Sequence, residues 1–173
     1  HPKDISPSLI EAFRDCDKLC KHIHLPLQSG SDRILAAMNR VYDRERYISV
    51  VESLREVCPD IAITTDIIVG FPGETEEDFE DTLNLVREVE YDGAFTFLYS
   101  PRPGTPAKLL KDETSEKEKR DRFGRLTEVL HDIQAKKNAL YEGRTVDVLV
   151  EGESRTDAAV LTGRTDSFKV VDF

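Results

Sequence analysis

The chain has 173 residues, 34% of them charged and 39% hydrophobic, which suits one ordinary domain or one domain with a small appendage. No apolar run approaches the roughly 20 residues that cross a bilayer, and no charged–apolar–small leader opens the chain. A soluble, cytoplasmic protein with no membrane partner is expected. The net charge of −10 argues against nucleic-acid binding by the whole chain, but the excess acid lies entirely in residues 1–101, which hold 10 Lys/Arg and 20 Asp/Glu. Residues 102–173 balance at 14 of each and leave room for a local basic face.

The first residue is His1 and the only methionine is Met38, so the sequence reads as an internal piece of something longer. Three cysteines do not make a disulfide framework. Cys16 and Cys20 are spaced like two members of an iron–sulfur triplet, but the third position is Ile23. Both are expected to be small, inert fillers, and no metal site is expected.

Ser6-Pro7 begins a helix, with an apolar side of Leu9, Ile10, Phe13 and Leu19 running to about residue 20. Ile23 to Leu27 reads as a short strand, and Asp32 to Asn39 as a helix. Asp43 caps a second helix with Tyr47, Val50, Val51, Leu54 and Val57 at helical spacing, ended by Pro59. Ile61 to Val69 is rich in β-branched residues and apolar on both faces, as a buried parallel strand is. Gly70-Phe71-Pro72-Gly73 breaks it, and Thr75 starts a helix with an acidic first turn. Gly93 to Ser100 is the next strand, followed by a proline-rich turn. This alternation predicts α/β architecture, a parallel barrel or sheet. A capping box at Ser115–Glu118 then opens a long charged helix to about Tyr141, with Phe123, Leu126, Leu130, Ile133 and Leu140 in a narrow stripe. Val146, Val148 and Val150, then Val160-Leu161, then Val170-Val171 predict about three short antiparallel strands, an incomplete small β-barrel.

In parallel barrels ligands gather where loops leave the C-terminal ends of the strands. Gln28 there offers an amide that pairs with a sugar hydroxyl, or is an ordinary loop residue. Asp66 is a carboxylate in an apolar strand; it needs donors, either a ribose diol or a structural Arg or Lys. Arg40 can clamp a carboxylate with two parallel bonds. Gly70 and Gly73 let backbone approach a flat ring, or simply reverse the chain.

Four blocks carry a resemblance: His24-Leu25-Pro26-Leu27-Gln28-Ser29-Gly30-Ser31; Met38-Asn39-Arg40; Thr64 to Thr75; and Tyr99-Ser100-Pro101-Arg102-Pro103-Gly104-Thr105-Pro106-Ala107. Together they resemble the radical S-adenosylmethionine methylthiotransferases. The last block resembles the MiaB-type branch, which methylthiolates isopentenyladenosine in tRNA. Val148 to Gly152 with Leu161 to Thr165 is similar to the start of that family's RNA-binding TRAM domain. The resemblance implies a partial parallel (β/α) barrel of radical SAM type at residues 1–112, a linker helix at 113–141 and a partial TRAM-like β domain at 142–173. It implies S-adenosylmethionine as cofactor, with Gln28 and Asp66 on its ribose, Ser29 beside them, Arg40 on its carboxylate and the Gly70-Phe71 backbone along its adenine. Tyr99 and Arg102 would face the substrate adenosine. The 4Fe–4S clusters would be held by cysteines outside this chain, so the piece alone would be inactive and would hold no catalytic residue. tRNA is the implied partner, with a flavodoxin or ferredoxin as electron donor. The alternatives are the branch acting on a ribosomal-protein aspartate and a non-catalytic RNA-binding module. An open half-barrel is also expected to expose strand edges and apolar faces.

Overall fold

The Ser6 hydroxyl accepts from the Leu9 amide at 3.2 Å and Pro7 takes the first helical position, which together start α1 (Pro7–Asp15). The helix stops earlier than its apolar side implies: Cys16 has left helical geometry at φ −117°. Cys16 and Cys20 are consequently exposed, not core fillers, and only Cys58 is buried. In the computed structural model, which describes residues 1–173, three strands follow: β1 (His22–His24), β2 (Ala62–Val69) and β3 (Gly93–Leu98). They form a parallel sheet in the order β1-β2-β3, with His22 opposite Ala62 and Thr64 opposite Gly93. Helices α2 (Asp32–Ala37) and α3 (Arg44–Val57) connect β1 to β2, and α4 (Glu76–Val89) connects β2 to β3. The α/β reading holds.

β1 is shorter than its apolar run because Pro26 has no amide to give to the ladder. The Leu27 amide turns instead to the Thr65 hydroxyl at 2.9 Å. Pairing resumes at Gln28, whose amide reaches the Asp66 carbonyl at 2.8 Å and whose carbonyl accepts from Ile68 at 2.9 Å. His24 faces Thr64 while Gln28 faces Ile67, so four residues on one strand oppose three on the other. This is a bulge, and Gln28 absorbs it with φ +72°.

Strand β2 is buried on one face only. Ile63, Thr65, Ile67 and Val69 pack into a core with Tyr47, Val50 and Leu54 of α3 and Phe79, Leu83 and Val86 of α4. Tyr47 donates to the Leu25 carbonyl at 2.7 Å, and Tyr91 donates to Tyr47 at 3.0 Å. The opposite face carries Thr64, Asp66 and Ile68, which are half-buried, beside Phe95 and Phe97, which are 62% and 51% exposed. The expectation of a strand covered on both faces therefore fails on this side. The apolar face left open is the one expected of a half-barrel.

Helix α5 (Glu116–Ala139) opens with the Ser115–Glu118 capping box. Leu126, Leu130 and Ile133 are buried against the core, whereas Leu140 is exposed. A three-stranded antiparallel sheet follows, β4 (Leu149–Glu153), β5 (Leu161–Arg164) and β6 (Val170–Asp172), in the order β4-β5-β6. It meets the N-terminal ends of the parallel strands. The Phe168 ring stacks on His22 with centroids 4.6 Å apart, and Tyr141 and Ser167 share a hydroxyl–hydroxyl bond of 2.7 Å. Lys169 donates to the Asp92 carbonyl at 3.3 Å, while the Asp92 carboxylate holds Lys137 at 2.8 Å.

Candidate functional site

The residues singled out from sequence fall at the other end of the sheet, where β1, β2 and β3 finish. Gln28 is buried and pairs with Ile67, one residue past Asp66, while Tyr99 follows Leu98, the residue that pairs with Val69. Asp66 stands three residues below Val69, about 10 Å down the strand. Its side chain is not deeply buried: 30% of it is accessible, on the open face, with Oδ2 3.4 Å from His24 Nε2. Desolvation is therefore slight, and the carboxylate needs no structural cation.

Arg40 follows Asn39, which ends the α2 turn in left-handed geometry at φ +57°. Its neighbour Tyr42 donates to the Leu27 carbonyl at 3.0 Å, bringing this segment against the tip of β1. Burial raises the Tyr42 phenol above its ordinary value, and the nearby Arg40 charge partly opposes this. The Arg40 guanidinium has no carboxylate partner, and its Nε is enclosed without a hydrogen bond. Tyr99 Oη is in the same position. Only one other buried side-chain polar atom lacks a partner, Nε of Arg164, whose guanidinium lies 4.7 Å over the Phe168 ring. Orphaned buried polar atoms are rare and costly. Two of the three belong to residues picked from the sequence as ligand contacts.

The remaining picks differ. Ser29 is buried with its hydroxyl turned to Thr82 of α4 at 3.4 Å and to the Ser31 amide at 3.2 Å, so it shapes the loop instead of facing the strand tips. Gly70 has φ +77°, and a Cβ there would lie 2.8 Å from Lys119 Cγ. Its close approach is thus to α5, not to a flat ring. Phe71 is buried, with its ring edge-on to Tyr99 at 5.1 Å. Arg102 is exposed, and only its carbonyl is engaged, by Thr105.

Two carboxylates hold the tip loops, and neither was picked out from sequence. Asp78, in the first turn of α4, accepts from Ser31 at 2.6 Å, from the Thr75 amide at 2.8 Å and from Arg33. Burial raises its carboxyl, but the bonds from Arg33, Ser31 and Thr75 more than offset this and hold it well below the ordinary range. A depressed carboxylate stabilises the fold above its unfolded pKa and loses that contribution as pH falls through the folded one. The urea midpoint of the wild type is therefore expected to fall more steeply than that of Asp78→Asn below about pH 4. Parallel slopes for the two would refute this. Glu74 is the second carboxylate; it accepts from the Gly70 amide at 3.2 Å and from Arg122 of α5 at 3.3 Å. The turn Gly70–Glu74 is thereby clamped between β2 and α5.

Residues 2–86 match the family model described as the Radical SAM superfamily. Over its full length the chain is 59% identical to tRNA-2-methylthio-N(6)-dimethylallyladenosine synthase of Clostridium botulinum strain Hall. By these matches the chain is similar to radical SAM enzymes. The corresponding synthases of Clostridium tetani and Alkaliphilus oremlandii are 58% and 55% identical, also over all 173 residues. The chain spans 38% of the length of the Clostridium botulinum relative. A solved structure of coproporphyrinogen III oxidase from Escherichia coli, a radical SAM enzyme, superposes with a TM-score of 0.63 at 24% identity. That superposition covers 76% of this chain and 31% of the oxidase, and it supports the fold. No helix of the chain is long and apolar enough to cross a membrane.

Sequence reasoning missed the histidines of β1 and their partner Thr64. Thr64 Oγ1 lies 2.9 Å from His22 Nε2 and 3.0 Å from His24 Nδ1, on the open face beside Asp66. Burial, and then the adjacent His24 charge, lower the His22 imidazole below its ordinary value. The alternation His22-Ile23-His24 across a strand was the available signal, since it puts both rings on one face.

Proposed function

We propose that this chain supplies part of the S-adenosylmethionine site of a tRNA methylthiotransferase that places a 2-methylthio group on N6-isopentenyladenosine. The observation that carries the reading is the pair of enclosed, unpartnered atoms, Arg40 Nε and Tyr99 Oη, on the segments that follow the strand tips, together with the open Asp66 carboxylate further down β2. A guanidinium with no counter-ion suits the carboxylate of an amino-acid moiety, which it can take in two parallel bonds. A carboxylate suits the hydroxyls of a ribose as an acceptor, and the Gln28 amide could donate or accept there as well. Phe71 and Tyr99, edge-on to each other at 5.1 Å, would close the site on the β3 side.

When bound with a 4Fe–4S cluster held by cysteines elsewhere in the longer protein, S-adenosylmethionine supplies the one-electron chemistry. The residues of this chain bind and orient it. Tyr99, with its unpartnered hydroxyl, and the exposed Arg102 would face a substrate adenosine. The names of the 55–59% identical relatives support tRNA as substrate. A flavodoxin or ferredoxin as electron donor, a cytoplasmic setting and a TRAM-like role for residues 142–173 complete the proposal. So does the division into a half-barrel at 1–112 and a linker helix at 113–141.

Calorimetric titration with S-adenosylmethionine tests the binding part. Asp66→Ala is expected to weaken affinity by about tenfold or more, the value of a hydrogen bond to a charged group. Equal affinity would remove Asp66 from the site, and no heat from the wild-type chain at millimolar ligand would overturn the reading itself.

A further inference from the structure

On the open face, four side chains form a continuous line along β1 and β2: His22, Thr64, His24 and Asp66. The distances are 2.9 Å from His22 Nε2 to Thr64 Oγ1, 3.0 Å from Thr64 Oγ1 to His24 Nδ1 and 3.4 Å from His24 Nε2 to Asp66 Oδ2. The hydrogens along this line follow from what each group can offer. An ionised carboxylate only accepts, so the 3.4 Å approach of His24 Nε2 to Asp66, longer than the two bonds to Thr64, is favourable only when Nε2 carries a hydrogen. Its neutral ring then has Nδ1 as an acceptor, which takes the single proton of the Thr64 hydroxyl. The Thr64 oxygen is left to accept from His22 Nε2–H. No other assignment satisfies the ionised carboxylate and both rings in their neutral form.

Neighbouring aromatics fix the two rings. Phe95 meets His24 at 6.1 Å and 66°, and Phe168 stacks on His22 at 4.6 Å. No protein hydrogen bond or ion pair engages Asp66 Oδ1, so His24 is the one side chain that addresses this carboxylate. A carboxylate held by one oxygen has a defined plane, and its second oxygen then has a defined direction. A freely turning carboxylate would lose that freedom each time it bound a hydroxyl.

We infer that His24 is a positioning residue for Asp66: its Nε2–H holds Oδ2 so that Oδ1 stays turned to a ribose hydroxyl, with Thr64 and His22 fixing the tautomer that makes this possible. The inference rests on the ribose-binding role proposed for Asp66. It goes beyond that role by assigning function to three residues of the open face that contribute nothing to the core.

The test uses calorimetric titration of the 173-residue chain with S-adenosylmethionine, with thermal unfolding of each variant as a check on folding. Glutamine places its amide nitrogen near the Nε2 position, whereas asparagine reaches only the Nδ1 position next to Thr64. His24→Asn is therefore expected to weaken binding about tenfold, and His24→Gln to stay within about threefold of wild type. Asp66→Asn is expected to lose at least as much as His24→Asn. The reverse order, asparagine tolerated and glutamine not, would assign His24 to holding Thr64 and overturn the inference. Equal affinities for the two His24 variants, whether both weak or both like wild type, would overturn it as well. Wild-type affinity in Asp66→Asn would remove the ribose role of Asp66 itself, a failure recognisable without reference to His24.

Discussion

Replacing Arg122 by alanine is expected to destabilise the chain by about 3–5 kcal/mol at pH 8 and clearly less at pH 5.5. Arg122 is buried and gives three hydrogen bonds: to the Glu74 carbonyl at 3.0 Å, to the Glu74 carboxylate at 3.3 Å and to Glu76 at 3.1 Å. Glu74 is buried as well, and burial pushes its carboxyl up to about 7 despite the Gly70 amide and the Arg122 charge. Its folded-state pKa lies above the unfolded value, so its contribution is fully present below about 4.5 and is lost as pH rises through 7. The span corresponds to about 3 kcal/mol. At pH 5.5 the carboxyl is mostly protonated in the fold, and the loss of Arg122 leaves a neutral acid. At pH 8 the same loss leaves a buried carboxylate with no cation, or forces it to take up a proton. Urea unfolding at the two pH values measures the difference, and Glu74→Gln should flatten the pH dependence between them. An Arg122→Ala cost independent of pH would disprove the account.

Gly30→Ala is the second large effect, a loss of about 3 kcal/mol from a single methyl group. A Cβ at Gly30 would lie 2.5 Å from Thr82 Cα and 2.6 Å from the Asp81 carbonyl oxygen. Both atoms are main chain of α4 and cannot swing aside as a side chain can. The loop must lift, breaking the 2.9 Å bond from the Gly30 amide to Thr82 and loosening Ser31, the cap of α2. Because Gln28 and Ser29 lead into this loop, S-adenosylmethionine binding should weaken along with stability. Gly124→Ala in α5 is the matched control. Nothing lies within 4 Å of its Cβ, and removing a helical glycine should add about 0.5–1 kcal/mol. Thermal or urea unfolding decides both, and a Gly30→Ala chain as stable as wild type would show that α4 yields after all.

What the sequence discloses is chiefly local. The caps at Ser6, Asp43, Thr75 and Ser115 lie within three residues of the amides they serve, and each helix starts where its cap predicts. The strand at 62–69 announces itself through β-branched residues, and Gln28, Arg40 and Asp66 stand out both by their chemistry near strand ends and by the resemblance. What stayed hidden depends on partners far away in the chain. Asp78 reads as one acid in an acidic first turn, and nothing nearby marks it as the hub for Ser31 and Arg33, 47 and 45 residues earlier. Gly70 reads as a turn glycine until Lys119 of a later helix is found pressed against it. Ser29 was placed beside the ribose contacts by resemblance alone, and its hydroxyl turns instead to Thr82, 53 residues later. Asp66 looked buried because its neighbours are apolar; one face of that strand is uncovered, which no strand sequence records.

Helix α5 touches both ends of the parallel sheet. Lys119 lies against Gly70 at the strand tips, and Lys137 holds Asp92 at the base, beside the loop that seats the antiparallel sheet. The 18 residue steps from Lys119 to Lys137 measure about 27 Å along the axis. The helix is thus a ruler with a fixed phase. One residue added between Lys119 and Lys137 would advance everything beyond it by only about 1.5 Å but swing it through about 100°. The antiparallel sheet would then face a different direction while the strand tips stayed where they were. The two ends would lose their alignment by rotation, not by distance, so length changes within this helix should be tolerated only in whole turns.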